Sequence, residues 1–121
     1  MSETLRYAAA ACQTDQPNPA DRAAMRASTT RIVDMIDAAV AGSAPFLPVR
    51  LVVFPEFAHA APVYSAVGDL RTHLTVPIPN EHTERLVAKA REHDIYIQSA
   101  SMLEEDPAYP GAVFNTTCLI G

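Results

Sequence analysis

The spacing of apolar and polar positions changes repeatedly along the chain, and each change marks an expected element. Tyr7 to Cys12 is a short apolar stretch closed by Gln13-Thr14-Asp15-Gln16 and then Pro17-Asn18-Pro19, which predicts a buried strand followed by a turn. Met25, Ile32, Met35, Ile36, Ala39 and Val40 recur at helical spacing and make one apolar face. Asn18 with Pro19 behind it is the expected N-cap and first-turn pair, Asp21 adds negative charge near the positive helix end, and Gly42 is the expected stop.

Beyond the connector Ala44-Pro45-Phe46-Leu47-Pro48, the apolar, β-branched run Arg50-Leu51-Val52-Val53-Phe54 has the pattern of a strand covered on both faces, and Pro55 ends it. A looser segment containing Pro62, Gly68, Pro77 and Pro79 leads to Asn80. That residue is the expected cap of a second helix, with Glu81 and Glu84 in its first turn and Leu86, Val87 and Ala90 on its buried side. Ile95 to Ser101 predicts a strand, Glu104 to Gly111 a turn, and Val113 to Ile120 a final strand. The order strand, helix, strand, helix, strand, strand predicts an α/β sandwich whose sheet is partly parallel.

Composition narrows the function classes. With 121 residues, 49% of them hydrophobic and 19% charged, the chain is expected to build one globular core. A net charge of -5 without a Lys/Arg cluster argues against nucleic acid or an anionic membrane as partner and leaves small molecules or proteins. No apolar run approaches membrane-spanning length, and Met1 to Arg6 shows no basic region followed by a long apolar one. Cys12 and Cys118 lie far apart and form no C-x-x-C pattern, which suits free thiols in a reducing compartment, so a cytoplasmic location is expected.

The candidate chemistry centres on Glu56. Ligands of open α/β sheets collect beyond the carboxyl ends of the strands, and Glu56 follows the most strand-like segment of the chain. Pro55 restricts the backbone before it, so the carboxylate leaves the strand in a limited range of directions, as a general base requires. Phe54, Phe57, Ala58 and Ala60 offer little polar company, which predicts a partly desolvated carboxylate with a raised pKa. The competing expectation is a solvated glutamate on a loop.

Several segments in order resemble the first part of a nitrilase-superfamily carbon-nitrogen hydrolase domain. Ala10-Ala11-Cys12-Gln13 is similar to the family's first strand, which closes with a glutamine, and Asn18 stands where its first helix opens. Leu51-Val52-Val53-Phe54-Pro55-Glu56 resembles the family's base motif, while Ile95-Tyr96-Ile97-Gln98-Ser99-Ala100-Ser101 and Val113-Phe114-Asn115-Thr116-Thr117 resemble the next two strands. The spacing of the set makes it more specific than the Phe-Pro-Glu block alone.

The resemblance spans residues 1–121 and implies the N-terminal portion of one domain, part of a four-layer α-β-β-α sandwich with a mixed sheet and helices packed on one face. It implies hydrolysis of a small amide or nitrile without a cofactor, by a glutamate base, a lysine and a cysteine nucleophile. Glu56 matches the base, whereas Lys89, Cys12 and Cys118 sit in no matching motif, so the other two groups are expected further along the chain. Tyr64 falls where family members place a substrate-pocket residue; a half-buried tyrosine with a bonded hydroxyl is the other reading. Part of a two-sheet sandwich exposes an apolar sheet face, so the chain is expected to self-associate or to pair with further chain. A non-catalytic interaction module is the alternative function.

Other constellations are weaker. A Cys12–Glu56 thiol site lacks a supporting histidine motif, and Cys118 is expected to pack as a small apolar residue. Glu56 and His59 have Glu-x-x-His spacing, but no second copy exists. His73, His82 and His93 show no paired ligand spacing and are expected to be surface or hydrogen-bonded, so no metal is expected. Asn115 is a candidate to orient the base's loop.

Overall fold

A computed structural model describes residues 2–15 and 17–121; Met1 and Gln16, the latter part of the expected first turn, lie outside the described residues. The elements are β1 (Ala8–Ala11), α1 (Arg22–Ser43), β2 (Val49–Val53), α2 (Val67–His73), α3 (Glu81–His93), β3 (Tyr96–Gln98), β4 (Met102–Glu104), β5 (Phe114–Thr116) and β6 (Leu119–Ile120). A four-stranded mixed sheet has the order β1-β2-β3-β6, with β1–β2 and β2–β3 parallel and β3–β6 antiparallel. Strands β4 and β5 form a separate antiparallel pair. Helical crossovers make the parallel pairings possible, because parallel neighbours cannot be joined by a tight turn.

Both long helices cover one face of the larger sheet. Ile32, Val33 and Ile36 of α1 and Leu86 and Ala90 of α3 pack in one cluster with Val52 of β2 and Ile97 of β3. Ile36, Val52 and Ile97 are each 0% exposed, a burial that contributes about 1.5–3 kcal/mol per side chain. The opposite face is open. Leu51 pairs with Tyr96 and Gln98 with Leu119, which puts these side chains on the uncovered side, where Tyr96 is 59% and Leu119 66% exposed. The expected mixed sheet with helices on one face is therefore present. No helix among the described residues is long and apolar enough to cross a membrane.

Helix termini separate the correct local expectations from the incorrect ones. Asn80 caps α3 as expected: its side chain accepts the amides of His82 at 2.8 Å and Thr83 at 2.9 Å, and Thr83 Oγ1 accepts the Asn80 amide at 2.8 Å. Asn18 does not cap α1. That role falls to Asp21, extended at φ -151°, whose carboxylate accepts the Ala24 amide at 2.7 Å. A cap must directly precede the first helical residue to reach the unpaired amides, and Asn18 lies too far upstream. Gly42 does not stop α1 either, since the helix continues to Ser43 and the Ala44 amide still bonds to the Val40 carbonyl at 3.1 Å. Pro45, which has no N–H to extend the ladder, ends it.

Helix α2 lies in the segment read from sequence as loose. It is short, its N-cap Ala66 makes no side-chain bond, and Leu70 is its buried residue, so its local signal is limited to Asp69 in the first turn and Arg71 and His73 in the last. Tertiary contacts hold it instead: the Arg22 guanidinium donates to the carbonyls of Arg71 and Thr72 at 2.8 Å and of Thr75 at 2.7 Å. These satisfy carbonyls that a helix end leaves unpaired, with a cation at the negative end of the helix.

The strands expected over Ile95 to Ser101 and Val113 to Ile120 are both broken at a shared corner. Ser99 donates its amide to the Cys118 carbonyl at 2.8 Å, and Cys118 donates its amide to Ser99 Oγ at 2.9 Å. On one side of this corner the two segments pair as β3 and β6 in the larger sheet, and on the other side as β4 and β5. The expected turn begins after Glu104, which closes β4, and runs through Gly111 at φ +84°.

Candidate active site

Glu56 lies just past the carboxyl end of β2, beside the corner where the sheets meet. The Phe54 amide donates to the Gln98 carbonyl at 3.1 Å, carrying the β2–β3 ladder up to Pro55. The chain then turns sharply. Phe57 adopts φ +61°, its amide donates to the buried Ser101 Oγ at 2.8 Å, and the Ala58 amide reaches back to the Pro55 carbonyl at 3.4 Å. A bulky aromatic residue is rarely left-handed, so local strain sits immediately after the candidate base.

Asn115, in the middle of β5, donates from Nδ2 to Glu56 Oε1 at 2.6 Å. This charge-assisted bond occupies one carboxylate oxygen and leaves the other to accept a proton. Glu56 opens onto a cleft of about 300 Å3 lined also by Phe54, Gln98, Ser99, Ser101, Asn115 and Thr117. Its floor is ordered by hydroxyl bonds: Gln98 Nε2 donates to Thr117 Oγ1 at 2.8 Å, and Thr117 Oγ1 donates to the Ser99 carbonyl at 2.7 Å. A second cleft of about 450 Å3 lies beside Glu56 and is lined by Gln13, Thr14, Asn18, Pro55, Phe57, Ala58 and Ala61.

The expectation of a desolvated carboxylate is not met, because Glu56 is exposed. Its apolar neighbours face the core instead, with Phe54 at 4%, Ala58 at 8% and Ala60 at 0% exposure. They anchor the loop and do not wall off the carboxylate. Tyr64 lines neither cleft beside Glu56. Its hydroxyl donates to the Ala20 carbonyl at 2.6 Å and its ring lies 5.1 Å from that of His73.

Neither thiol joins the site. Cys12 is half-buried against the main core and Cys118 is half-buried at the corner; both are free, and burial raises the pKa of each. Lys89 is engaged elsewhere, at 2.8 Å from both Asp37 and Glu92, with His93 Nε2 2.8 Å from the same Asp37. Asp37, Glu92 and His93 are the group of metal-type donors found among the described residues, and the Lys89 ammonium already occupies the place of a cation. His59 is buried and turned toward His82, so the Glu-x-x-His spacing brings no ligand pair together. His82, expected at the surface or hydrogen-bonded, is buried and bonded.

Asn115 emerges as a partner of the base, where sequence left it only a candidate. Nothing in the sequence individually marks the hydroxyls of Ser99, Ser101 and Thr117. Their available signal is polar residues punctuating otherwise apolar strands.

A carbon-nitrogen hydrolase family model matches residues 8–121. Among solved structures, the chain is similar to Saccharomyces cerevisiae Nit3, a member of branch 10 of the nitrilase superfamily, with a TM-score of 0.63 and 20% identity over 79% of this chain and 34% of that one. It is also similar to an N-terminal amidase, with a TM-score of 0.67 and 20% identity over 92% of this chain and 24% of that one. The same amidase with an Asn-Glu-Ala peptide gives a TM-score of 0.68 at 19% identity. No curated protein sequence matches significantly. The chain thus spans 34% or less of the length of these structures, whose likeness lies in the fold. The match over nearly all its residues and the shared fold make this chain a member of the carbon-nitrogen hydrolase family.

Proposed function

We propose that the chain supplies the general base of a hydrolase acting on a small amide or nitrile by a glutamate-lysine-cysteine mechanism, with Glu56 as that base. The observation that carries this reading is the placement of Glu56: it stands at the carboxyl end of a parallel strand, beside a polar cleft, with one oxygen held by Asn115. In the reaction Glu56 takes the proton of a cysteine thiol, and the thiolate attacks the amide or nitrile carbon. With an amide, the amine leaves with the proton that Glu56 returns and a thioester remains; with a nitrile, the thioimidate first adds a water and then loses ammonia to give the same thioester. A further water hydrolyses the thioester to the acid and the free thiol, while a lysine stabilises the developing oxyanion. The lysine and cysteine come from chain beyond residues 1–121, because Lys89, Cys12 and Cys118 line neither cleft. A hydrolysis screen over small amides and nitriles tests this directly. Turnover is expected when a segment carrying the lysine and cysteine is supplied and absent with these residues alone; turnover by the chain alone would overturn the division of labour.

A second reading, association without catalysis, is favoured by the uncovered sheet face. Leu5, Tyr7, Leu51, Tyr96 and Leu119 line an apolar groove there with Arg50, and Leu5 is 73% and Tyr7 48% exposed. The isolated chain is therefore expected to self-associate in sedimentation velocity, and Tyr96→Lys to shift it toward monomer. A monodisperse monomer across the micromolar range would remove this reading.

A further inference from the structure

Three residues beyond Glu56 the chain plunges into the core, where His59 is 1% exposed. Its Nδ1 lies 3.2 Å from Thr29 Oγ1 on α1, and the same hydroxyl lies 2.7 Å from Nδ1 of His82 on α3, itself 2% exposed. The imidazoles meet edge to face, with centroids 4.5 Å apart. Thr29 Oγ1 also lies 3.2 Å from the Met25 carbonyl, so one hydroxyl with one proton and two lone pairs serves three neighbours. The Met25 carbonyl can only accept and takes the one proton, so both rings donate from Nδ1 to the two lone pairs to complete this set.

His59 Nε2 is buried and has no hydrogen-bond partner among the described residues. A neutral ring can leave a bare lone pair there. A charged ring would bury an N–H with no acceptor, next to a second imidazole. The charged groups around the pair lie on the His82 side: Glu81 Oε1 is 3.7 Å from His82 Nε2 and 3.0 Å from Arg26 of α1, and Arg85 also acts on His82. None of these partners His59. An orphaned buried nitrogen costs stability, so packing alone does not account for a histidine here.

We propose that the Thr29–His59–His82 cluster is a latch that positions Glu56, tying its strained loop to α1 and α3 while both rings are neutral and releasing it when His59 is protonated. This rests on Glu56 being the base of the proposed reaction. Two of the ties that hold the loop, the Phe57 amide on Ser101 and His59 on Thr29, bracket the left-handed Phe57. Losing the His59 tie removes a restraint that opposes this strain, and the backbone beneath Glu56 loosens although Asn115 still holds one carboxylate oxygen.

Amide exchange of the full chain, expressed as protection of Phe57 relative to the β2 and β3 amides, tests the latch without requiring turnover. His59→Leu is expected to lower relative protection at least tenfold at pH 7.5, and His59→Asn, which keeps a donor near the Nδ1 position, to restore it to within threefold. Equal behaviour of the two variants, or an unchanged Phe57 in His59→Leu, would overturn the latch. If His59→Leu does not fold, the wild-type chain decides: between pH 7.5 and 5 Phe57 is expected to lose protection faster than the sheet amides, and parallel loss refutes the proposal. Glu56→Gln leaves this exchange unchanged while testing the base through turnover, so the two readings fail separately.

Discussion

Glu56→Gln, made in a protein that also carries the lysine and cysteine, is expected to lower kcat/KM by about 10²–10⁴-fold, the range typical of losing a positioned general base. Glutamine keeps the size of the side chain and an oxygen for the Asn115 amide, but it cannot take a proton from a thiol. Because Glu56 is exposed and belongs to no packed apolar cluster, stability should change by no more than about 0.5 kcal/mol. The loss should fall on kcat more than on KM, since the proton moves in the transition state. Activity within tenfold of the unaltered protein would show that Glu56 is not the base.

The second large effect is acid lability from the buried histidines. Burial, aided by the neighbouring His82, pushes the His59 pKa down to about 3, and burial lowers His82 in the same direction. The folded pKa lies below the unfolded one, so the unfolded chain binds a proton first as pH falls. Stability is therefore complete above the ordinary histidine pKa near 6.5 and is lost between there and about 3. From pH 7.5 to 5 the His59 contribution alone amounts to about 2 kcal/mol, at ~1.4 kcal/mol per pH unit below pH 6.5. Urea midpoints across this range should fall steeply for the wild-type chain and less steeply for His59→Asn. Parallel profiles would mean that His59 is charged in the folded state or titrates equally in both states.

The local pattern of residues was enough to determine the main strands and helices, the Asn80 cap and the position of Glu56. Apolar periodicity and the stop at Pro55 act within a few residues, and short-range sterics and amide bonding decide them without help from elsewhere. The resemblance carried by the Phe-Pro-Glu segment and its flanking strands likewise pointed to the family that the match over residues 8–121 establishes.

Tertiary structure decided the rest. Asn115 reaches Glu56 from 59 residues away, and the bond forms because the Ser99–Cys118 corner brings β5 beside the loop that follows β2. Whether Phe54, Ala58 and Ala60 would shield the carboxylate or fill the core depended on what lay beneath them, and the core claimed them, leaving Glu56 in an open cleft. Arg22 holds a helix in a segment whose local pattern did not predict one, and His59, which sequence offers only as half of a Glu-x-x-His spacing, and His82, expected at the surface or hydrogen-bonded, form a buried pair around Thr29. Sequence neighbours determine which way a chain turns; contacts between distant segments determine what a side chain meets, and Glu56 is defined by both.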